Sequence, residues 1–290
     1  MRVKVPERGI IESDIRTRAG VQQDRYARCG KMHKQQDALR GGHALQDVRC
    51  GKIHNSTDTY DKGIDNMNEL LGREIAGLLF DTDGTLLDTH DLILSSMRYT
   101  INEGCNENYS DAELMRGVGT PLPDQMLAFA NGDAKKADEL VITYRAHNDA
   151  IHDAGIRAFP DTRAALERFR IRGFTMGVVT SKRHELAERG LELTGIAEFF
   201  DVLIAPDDWP EHKPAPGPIL RECELLGLDP HVCLYIGDSP YDIQAGNRAG
   251  WLTVAALWGM FPAAALEAES PALTCTNLSQ LADLLEQKTR

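Results

Sequence analysis

The sequence predicts an α/β fold: a doubly wound parallel sheet with a helical module inserted after its first strand. Three observations carry that expectation. From Ile75 onward, short apolar runs rich in Val, Leu and Ile alternate with amphipathic helical patterns, as in a parallel sheet covered by helices. One long stretch, residues 91–155, breaks the alternation and holds only helical patterns. Several apolar runs end in polar or charged residues, where open α/β sheets bind their ligands.

Length and charge bound the rest. A chain of 290 residues fits one large domain or two modest ones. A net charge of −12 argues against nucleic acid or an acidic membrane surface as the main partner. The charge is uneven: residues 1–66 carry +4 and the remainder −16. The six cysteines are scattered without a dense framework, and no apolar run resembles a signal peptide or is long enough to span a bilayer. A reducing, cytoplasmic setting is the simplest expectation.

Residues 1–72 are polar, without steady periodicity, and read as a poorly ordered extension. A short repeat lies within it, Arg-Cys-Gly-Lys-Met-His at 28–33 and Arg-Cys-Gly-Lys-Ile-His at 49–54. Cys29, His33, Cys50 and His54 are ligand types that zinc accepts, although the spacing is not a standard one. A start at Met67 would leave 224 residues and lose no recognisable motif.

The core is expected to occupy 73–90 and 156–290. Strands are predicted at 75–80, 174–180, 202–205, 232–236 and 252–255, and helices at 161–172, 183–194, 216–227, 240–249 and 278–286. Within 91–155, Gly117-Val118-Gly119-Thr120-Pro121 and Asn131-Gly132-Asp133 punctuate the helical patterns.

The first strand ends in two carboxylates one residue apart, Asp81 and Asp83, followed by Gly84, which turns without steric penalty. Alternation along a strand points the two acids the same way. They suit a divalent cation, or a nucleophile beside a general acid/base; a solvated turn is the plainer alternative. The second strand ends in Thr180-Ser181-Lys182, where a hydroxyl and free amides at a helix start suit a phosphate oxygen, or simply cap the helix. His212-Lys213-Pro214-Ala215-Pro216 sets a lysine before prolines that fix the backbone at a helix start. Gly237-Asp238 closes another strand, with Asp242 in the first turn of the helix that follows; both can reach one cation. Carboxylates, a hydroxyl and a lysine gathered at strand ends match phosphoryl transfer through an aspartyl phosphate, with Mg²⁺ and Lys213 offsetting the repulsion between phosphate and nucleophile.

With these motifs in this order, the chain resembles the haloacid dehalogenase superfamily, on its phosphatase branch. Asp81-Thr82-Asp83-Gly84-Thr85, Thr180, Lys213-Pro214 and Gly237-Asp238 with Asp242 carry the resemblance, which covers roughly residues 75–286. It implies a Rossmann-like core with a helical cap at 91–155. It further implies Asp81 as nucleophile and Mg²⁺ ligand, and Asp83 as acid and base that also binds Mg²⁺ through its backbone carbonyl. Thr180, Ser181 and Lys213 would hold the phosphoryl group, and Asp238 would complete the metal site with Asp242 in support. Dehalogenases and phosphonatases of the superfamily lack the second aspartate, so Asp83 favours phosphate ester or anhydride hydrolysis.

Within the branch, Tyr144-Arg145-Ala146-His147-Asn148, Leu193-Thr194-Gly195-Ile196 and Phe199-Phe200-Asp201 resemble the phosphoglycolate phosphatases and bacterial pyrophosphatases. Arg145 and His147 are candidate contacts to a second anionic group of the substrate, or members of a solvated helix face. Relatives often carry an acid where this chain has Gly217. The expected protein is a Mg²⁺-dependent phosphohydrolase, monomer or homodimer, acting on 2-phosphoglycolate or inorganic pyrophosphate. A sugar-phosphate mutase and a non-catalytic binding protein on the same fold are the alternatives.

Overall fold

The computed structural model describes residues 75–105 and 108–287. The expected extension, including the Cys29/His33/Cys50/His54 set, lies outside the described residues. Six parallel strands form one sheet in the order β3-β2-β1-β4-β5-β6: β1 Gly77–Phe80, β2 Thr175–Val179, β3 Val202–Ile204, β4 Cys233–Gly237, β5 Leu252–Ala256 and β6 Leu273–Cys275. The chain leaves β1 toward β2 and β3 on one side, then returns to place β4, β5 and β6 on the other. The strand order therefore reverses between β1 and β4, where a doubly wound sheet opens a crevice at its carboxyl ends.

β1 is buried along its whole length, as a strand covered on both faces requires. Its residues alternate between two cores. Leu78 and Phe80 join a cluster with Leu166, Phe169, Val178 and Ile236, whereas Leu79 joins Val179, Ile219 and Tyr235 on the opposite face. Register levels the strand ends: Phe80 lies beside Val178 of β2 and Ile236 of β4. Asp81, Thr180 and Asp238 thus emerge at nearly the same height.

Between β1 and β2 run α1 (His90–Gly104), α2 (Asp111–Met115), α3 (Leu122–Phe129), α4 (Ala134–Gly155) and α5 (Thr162–Ile171). Ile93, Met97 and Ile101 recur every four residues along α1. They meet Leu114, Met126, Ala137 and Leu140 in a cluster separate from the two sheet cores. α2 opens with a capping box, Ser110 and Glu113, and α4 with Asp133 accepting from the Lys136 amide at 3.1 Å. The two chain crossings between these helices and the sheet run side by side: the Asp88 amide donates to the Arg157 carbonyl (2.8 Å) and the Phe159 amide to that of Leu86 (3.2 Å).

The remaining helices are α6 His184–Leu193, α7 Gly217–Leu226, α8 Pro240–Arg248, α9 Ala263–Glu267 and α10 Leu278–Gln287. Every strand and helix bound anticipated from sequence lies within two residues of an observed one. Two elements escaped. β6 has three residues and α9 five, too few to show a period of two or of 3.6. No helix among the described residues is long and apolar enough to cross a membrane.

Candidate active site

Asp81 continues β1 by one residue, its amide donating to the Ile236 carbonyl at 2.9 Å. The chain then turns sharply. The amides of Leu86 and Leu87 both donate to the Thr82 carbonyl, and that of Gly84 to the Leu87 carbonyl. Gly84 has φ +84°, and a Cβ there would come 2.1 Å from an Asp238 oxygen. Both its conformation and its proximity to the second acid demand glycine.

Thr180 follows β2 with its amide bonded to the Ile204 carbonyl (2.9 Å). Its hydroxyl lies 2.6 Å from that of Thr82 and accepts the Lys182 amide at 3.1 Å, so the β1 and β2 turns meet through their side chains. Asp238 ends β4. One of its oxygens accepts the Met260 amide (2.8 Å) and the other the Thr85 hydroxyl (3.2 Å). Asp242 is the third residue of α8 and closes a capping box with Ser239.

Lys213 arrives on the loop before α7 and joins these ends. Its Nζ donates to Asp81 Oδ1 and to Asp242 Oδ1, each at 2.7 Å, and to the Val179 carbonyl at 3.3 Å, so all three ammonium donors are engaged. Burial opposes its charge, but Asp242 and Asp81 outweigh that effect and hold its pKa above the usual lysine value. The Tyr235 hydroxyl, 3.2 Å from Asp242 Oδ1, supports the same carboxylate from β4. A Cβ on Gly217 would fall 1.9 Å from Glu211 Oε2, so Glu211 supplies a carboxylate at the start of α7.

Asp81, Asp238 and Asp242 can each bring an oxygen within 4.8 Å of the others, and all three are buried. One buried ammonium, Lys213, balances three acids. Burial, then Asp242 and Asp83, push the Asp81 carboxyl up to about 7 against the pull of Lys213. Burial and the neighbouring carboxylates Asp81 and Asp242 drive Asp238 well above the usual range. A hard divalent cation with oxygen ligands fits this deficit of positive charge. Asp81 and Asp238 keep more lone-pair capacity for it: Asp242 already accepts from Lys213, Tyr235 and both the amide and hydroxyl of Ser239, whereas Asp238 accepts only from Met260 and Thr85 and Asp81 only from Lys213.

A cavity of about 530 Å³ opens above these residues. Asp81, Asp83, Thr180, Ser181 and Asp238 line its floor, and residues of α1, α3, α4 and the loop before α3 line its roof. The Asp83 carboxylate accepts from Lys182 Nζ at 2.7 Å, a pairing that the sequence reading did not anticipate. Ser181 faces the cavity, yet its hydroxyl donates to the Gly119 carbonyl at 2.7 Å and ties the roof to the floor. The two α4 candidates separate. Arg145 lines the cavity, whereas His147 does not: its ring stacks on Tyr99 (centroids 4.3 Å apart) and its Nδ1 meets the Ser96 hydroxyl at 3.2 Å. Residues two apart on a helix do not share a face, so His147 is set aside as a substrate contact.

The model of the haloacid dehalogenase-like hydrolases matches residues 78–256, the span from β1 to β5. The chain belongs to this family. Among its relatives is the pyrophosphatase PpaX of Oceanobacillus iheyensis, 39% identical over 186 residues, which are 64% of this chain and 85% of that protein. The PpaX pyrophosphatase of Bacillus mycoides is 34% identical over 214 residues, 74% of this chain and 98% of that one. Of solved structures, a Lactobacillus plantarum protein provisionally named a phosphoglycolate phosphatase matches with TM-score 0.66 and 25% identity, over 73% of this chain and all of that one. This family member therefore sits with the phosphatases, in keeping with its paired aspartates at the end of β1.

Proposed function

We propose that the protein is a Mg²⁺-dependent phosphohydrolase that works through an aspartyl phosphate on Asp81. Its substrate is a small phosphorylated metabolite, inorganic pyrophosphate or 2-phosphoglycolate, and the names of the nearer relatives weigh toward pyrophosphate. The observation that carries this reading is the meeting of Asp81, Asp83, Thr180 and Asp238 around one cavity from separate strand ends, with Lys213 bonded to Asp81 from a separate loop.

A carboxylate oxygen of Asp81 attacks phosphorus while the bond to the leaving oxygen breaks, and Asp83 gives that oxygen a proton. Water then attacks the phosphorus of the acyl phosphate, Asp83 takes the water's proton, and phosphate leaves with the Asp81 carboxylate restored. Thr180 donates its hydroxyl, and Lys213 its charge, to the non-bridging oxygens, where charge is carried through the transition state. Ser181 adds its backbone amide at the helix start. Asp81, Asp238 and the Asp83 carbonyl would hold Mg²⁺, with Asp242 in support. When bound, the ion neutralises phosphoryl charge and offsets the repulsion between the substrate and Asp81. Residues 91–155 act as a cap that excludes water from the core formed by 73–90 and 156–290. A cytoplasmic setting suits this substrate class.

Mg²⁺-dependent phosphate release from pyrophosphate and 2-phosphoglycolate, compared with that of Asp81→Asn, tests the proposal. Release above the Asp81→Asn background is expected, with ³²P from labelled substrate trapped on wild-type protein by acid quench. Equal release from the two proteins contradicts it.

A further inference from the structure

Two thiols lie together at the end of the sheet opposite the cavity. Cys223 is in the last turn of α7 and Cys233 opens β4, and each is 1% exposed. Cys223 Sγ donates to the Leu228 carbonyl at 3.1 Å, and Cys233 Sγ to the Asp229 carbonyl at 3.4 Å. Adjacent residues of the loop between helix and strand thus hold both. The two sulfurs also lie within hydrogen-bond reach of each other. Two glycines allow this approach. Gly227 ends α7 at φ +67°, and the chain turns back so that the Leu228 amide donates to the Cys223 carbonyl at 3.0 Å. Gly77 of β1 pairs with Cys233, and a Cβ there would fall 2.9 Å from its sulfur, so β1 leaves the space that the thiol fills. Cys275, by contrast, belongs to the core on the other face of the sheet. The proposed reaction uses none of these thiols.

We infer that Cys223 and Cys233 form a reversible intramolecular disulfide when the protein meets a peroxide, and that this bond clasps α7 to β4. The Cys223 thiolate attacks one peroxide oxygen, the O–O bond breaks, and the departing hydroxide takes up the thiol's proton as water. The Cys233 sulfur then attacks the sulfenic sulfur of Cys223. The S–S bond forms, the S–O bond breaks, and the hydroxyl leaves with the Cys233 proton as a second water. Two thiols give up two electrons, and one peroxide becomes two waters. The order follows from the environment: the hydrogen bond with Cys233 lowers the Cys223 pKa against the effect of burial, and the same contact, with burial, raises that of Cys233. Gly227, Asp229 and His231 of the covering loop are exposed, and a local opening of that loop frees both thiols and admits a molecule as small as peroxide. The bond closes a short loop far from the cavity, so its effect falls on stability. In a reducing setting a dithiol returns it to two thiols.

Both cysteines fall in one tryptic peptide, residues 222–248, which follows Arg221 and ends at Arg248. The native full-length protein is treated with hydrogen peroxide, blocked with N-ethylmaleimide, digested and mapped by mass. The peptide is expected to be lighter by two hydrogens and to carry no maleimide, and dithiothreitol before blocking should restore two adducts. The oxidised protein should melt about 5 °C above the reduced one, a gain that Cys223→Ser and Cys233→Ser both lose. Two maleimide adducts after peroxide, or added oxygens in place of lost hydrogens, overturn the inference. So does a bond from either cysteine to Cys29, Cys50, Cys105 or Cys275, or an equal melting gain in the serine variants. The mass map needs wild-type protein alone, so it decides the bond even where a serine variant fails to fold.

Discussion

Lys182 Nζ lies 2.7 Å from Oδ1 of Asp83, and both side chains are largely withdrawn from solvent. The pair joins the turn after β1 to the turn after β2 and holds the second of the paired acids, which lines the cavity and which Lys213 does not touch. Asp83 must reach the leaving oxygen in the proposed reaction, so the lysine that orients it acts through it.

Lys182→Met is therefore expected to lower kcat for phosphate release by about tenfold or more while KM stays within about threefold, since a misplaced proton donor weakens the transition state rather than binding. Lys182→Arg should recover part of kcat. Steady-state kinetics of the three proteins check this, and a loss confined to KM would assign Lys182 to substrate binding instead.

The three buried acids beside one ammonium should make the fold sensitive to a divalent cation. Mg²⁺ at a hundredfold excess over its Kd should stabilise the native state by about 2.7 kcal/mol, or roughly 5–10 °C in melting temperature for a domain of this size. Asp238→Asn should lose most of that shift. Thermal melts with Mg²⁺ and with EDTA measure it, and an equal shift in both proteins would place the ion elsewhere.

His184, at the start of α6, meets Asp208 Oδ2 at 2.6 Å, and Asp208 also accepts the Ala205 amide. The bond to Asp208, opposed by burial, raises the His184 pKa. Burial pushes Asp208 the other way, but His184 and the Ala205 amide outweigh it and lower its pKa. The histidine's contribution is full below its unfolded pKa near 6.5 and is lost as pH rises through the higher folded value. The aspartate's contribution is full above about 3.9 and is lost as pH falls through the lower folded value. His184→Gln should therefore cost about 0.5–1 kcal/mol near pH 5.5 and much less at pH 9. Urea denaturation at the two pH values reads the difference; a cost independent of pH would remove the ion pair as its cause.

Glu222 of α7 is fully buried and points at Gly177 of β2, where a Cβ would fall 2.2 Å from its Oε1. Burial drives its carboxyl well above the usual range, and the Val178 amide offsets only part of the effect. With a raised folded pKa, the stability present below the unfolded value near 4.3 is lost as pH rises. Glu222→Gln does not titrate, so it should gain about 1–3 kcal/mol over wild type at pH 8 and converge with it near pH 4. Denaturation midpoints across that range test this; a variant less stable at pH 8 would show that the carboxylate has a buried partner.

Much of the candidate site was readable along the chain because its parts sit at the ends of strands. A strand end shows as an apolar run that stops, and the residue after it must face the crevice, so Asp81, Thr180 and Asp238 could be found without knowing which strands were neighbours. Lys213 was found by its prolines, and Asp242 by its place in a helix's first turn. Two short elements, β6 and α9, left no period to read.

Partnership was the part that local pattern could not carry. Lys182 and Asp83 are 99 residues apart, and Lys213 and Asp81 132. Those contacts exist because the strand order brings β1 between β2 and β4, in a register that levels their ends. The same packing turned the Ser181 hydroxyl to Gly119 and put Arg145 and His147 on different sides of α4. The types of chemical group and their order are properties of the covalent chain. Which oxygen each donor meets, and which charge is left without a partner, depend on distances that only the closed sheet and its helical roof create.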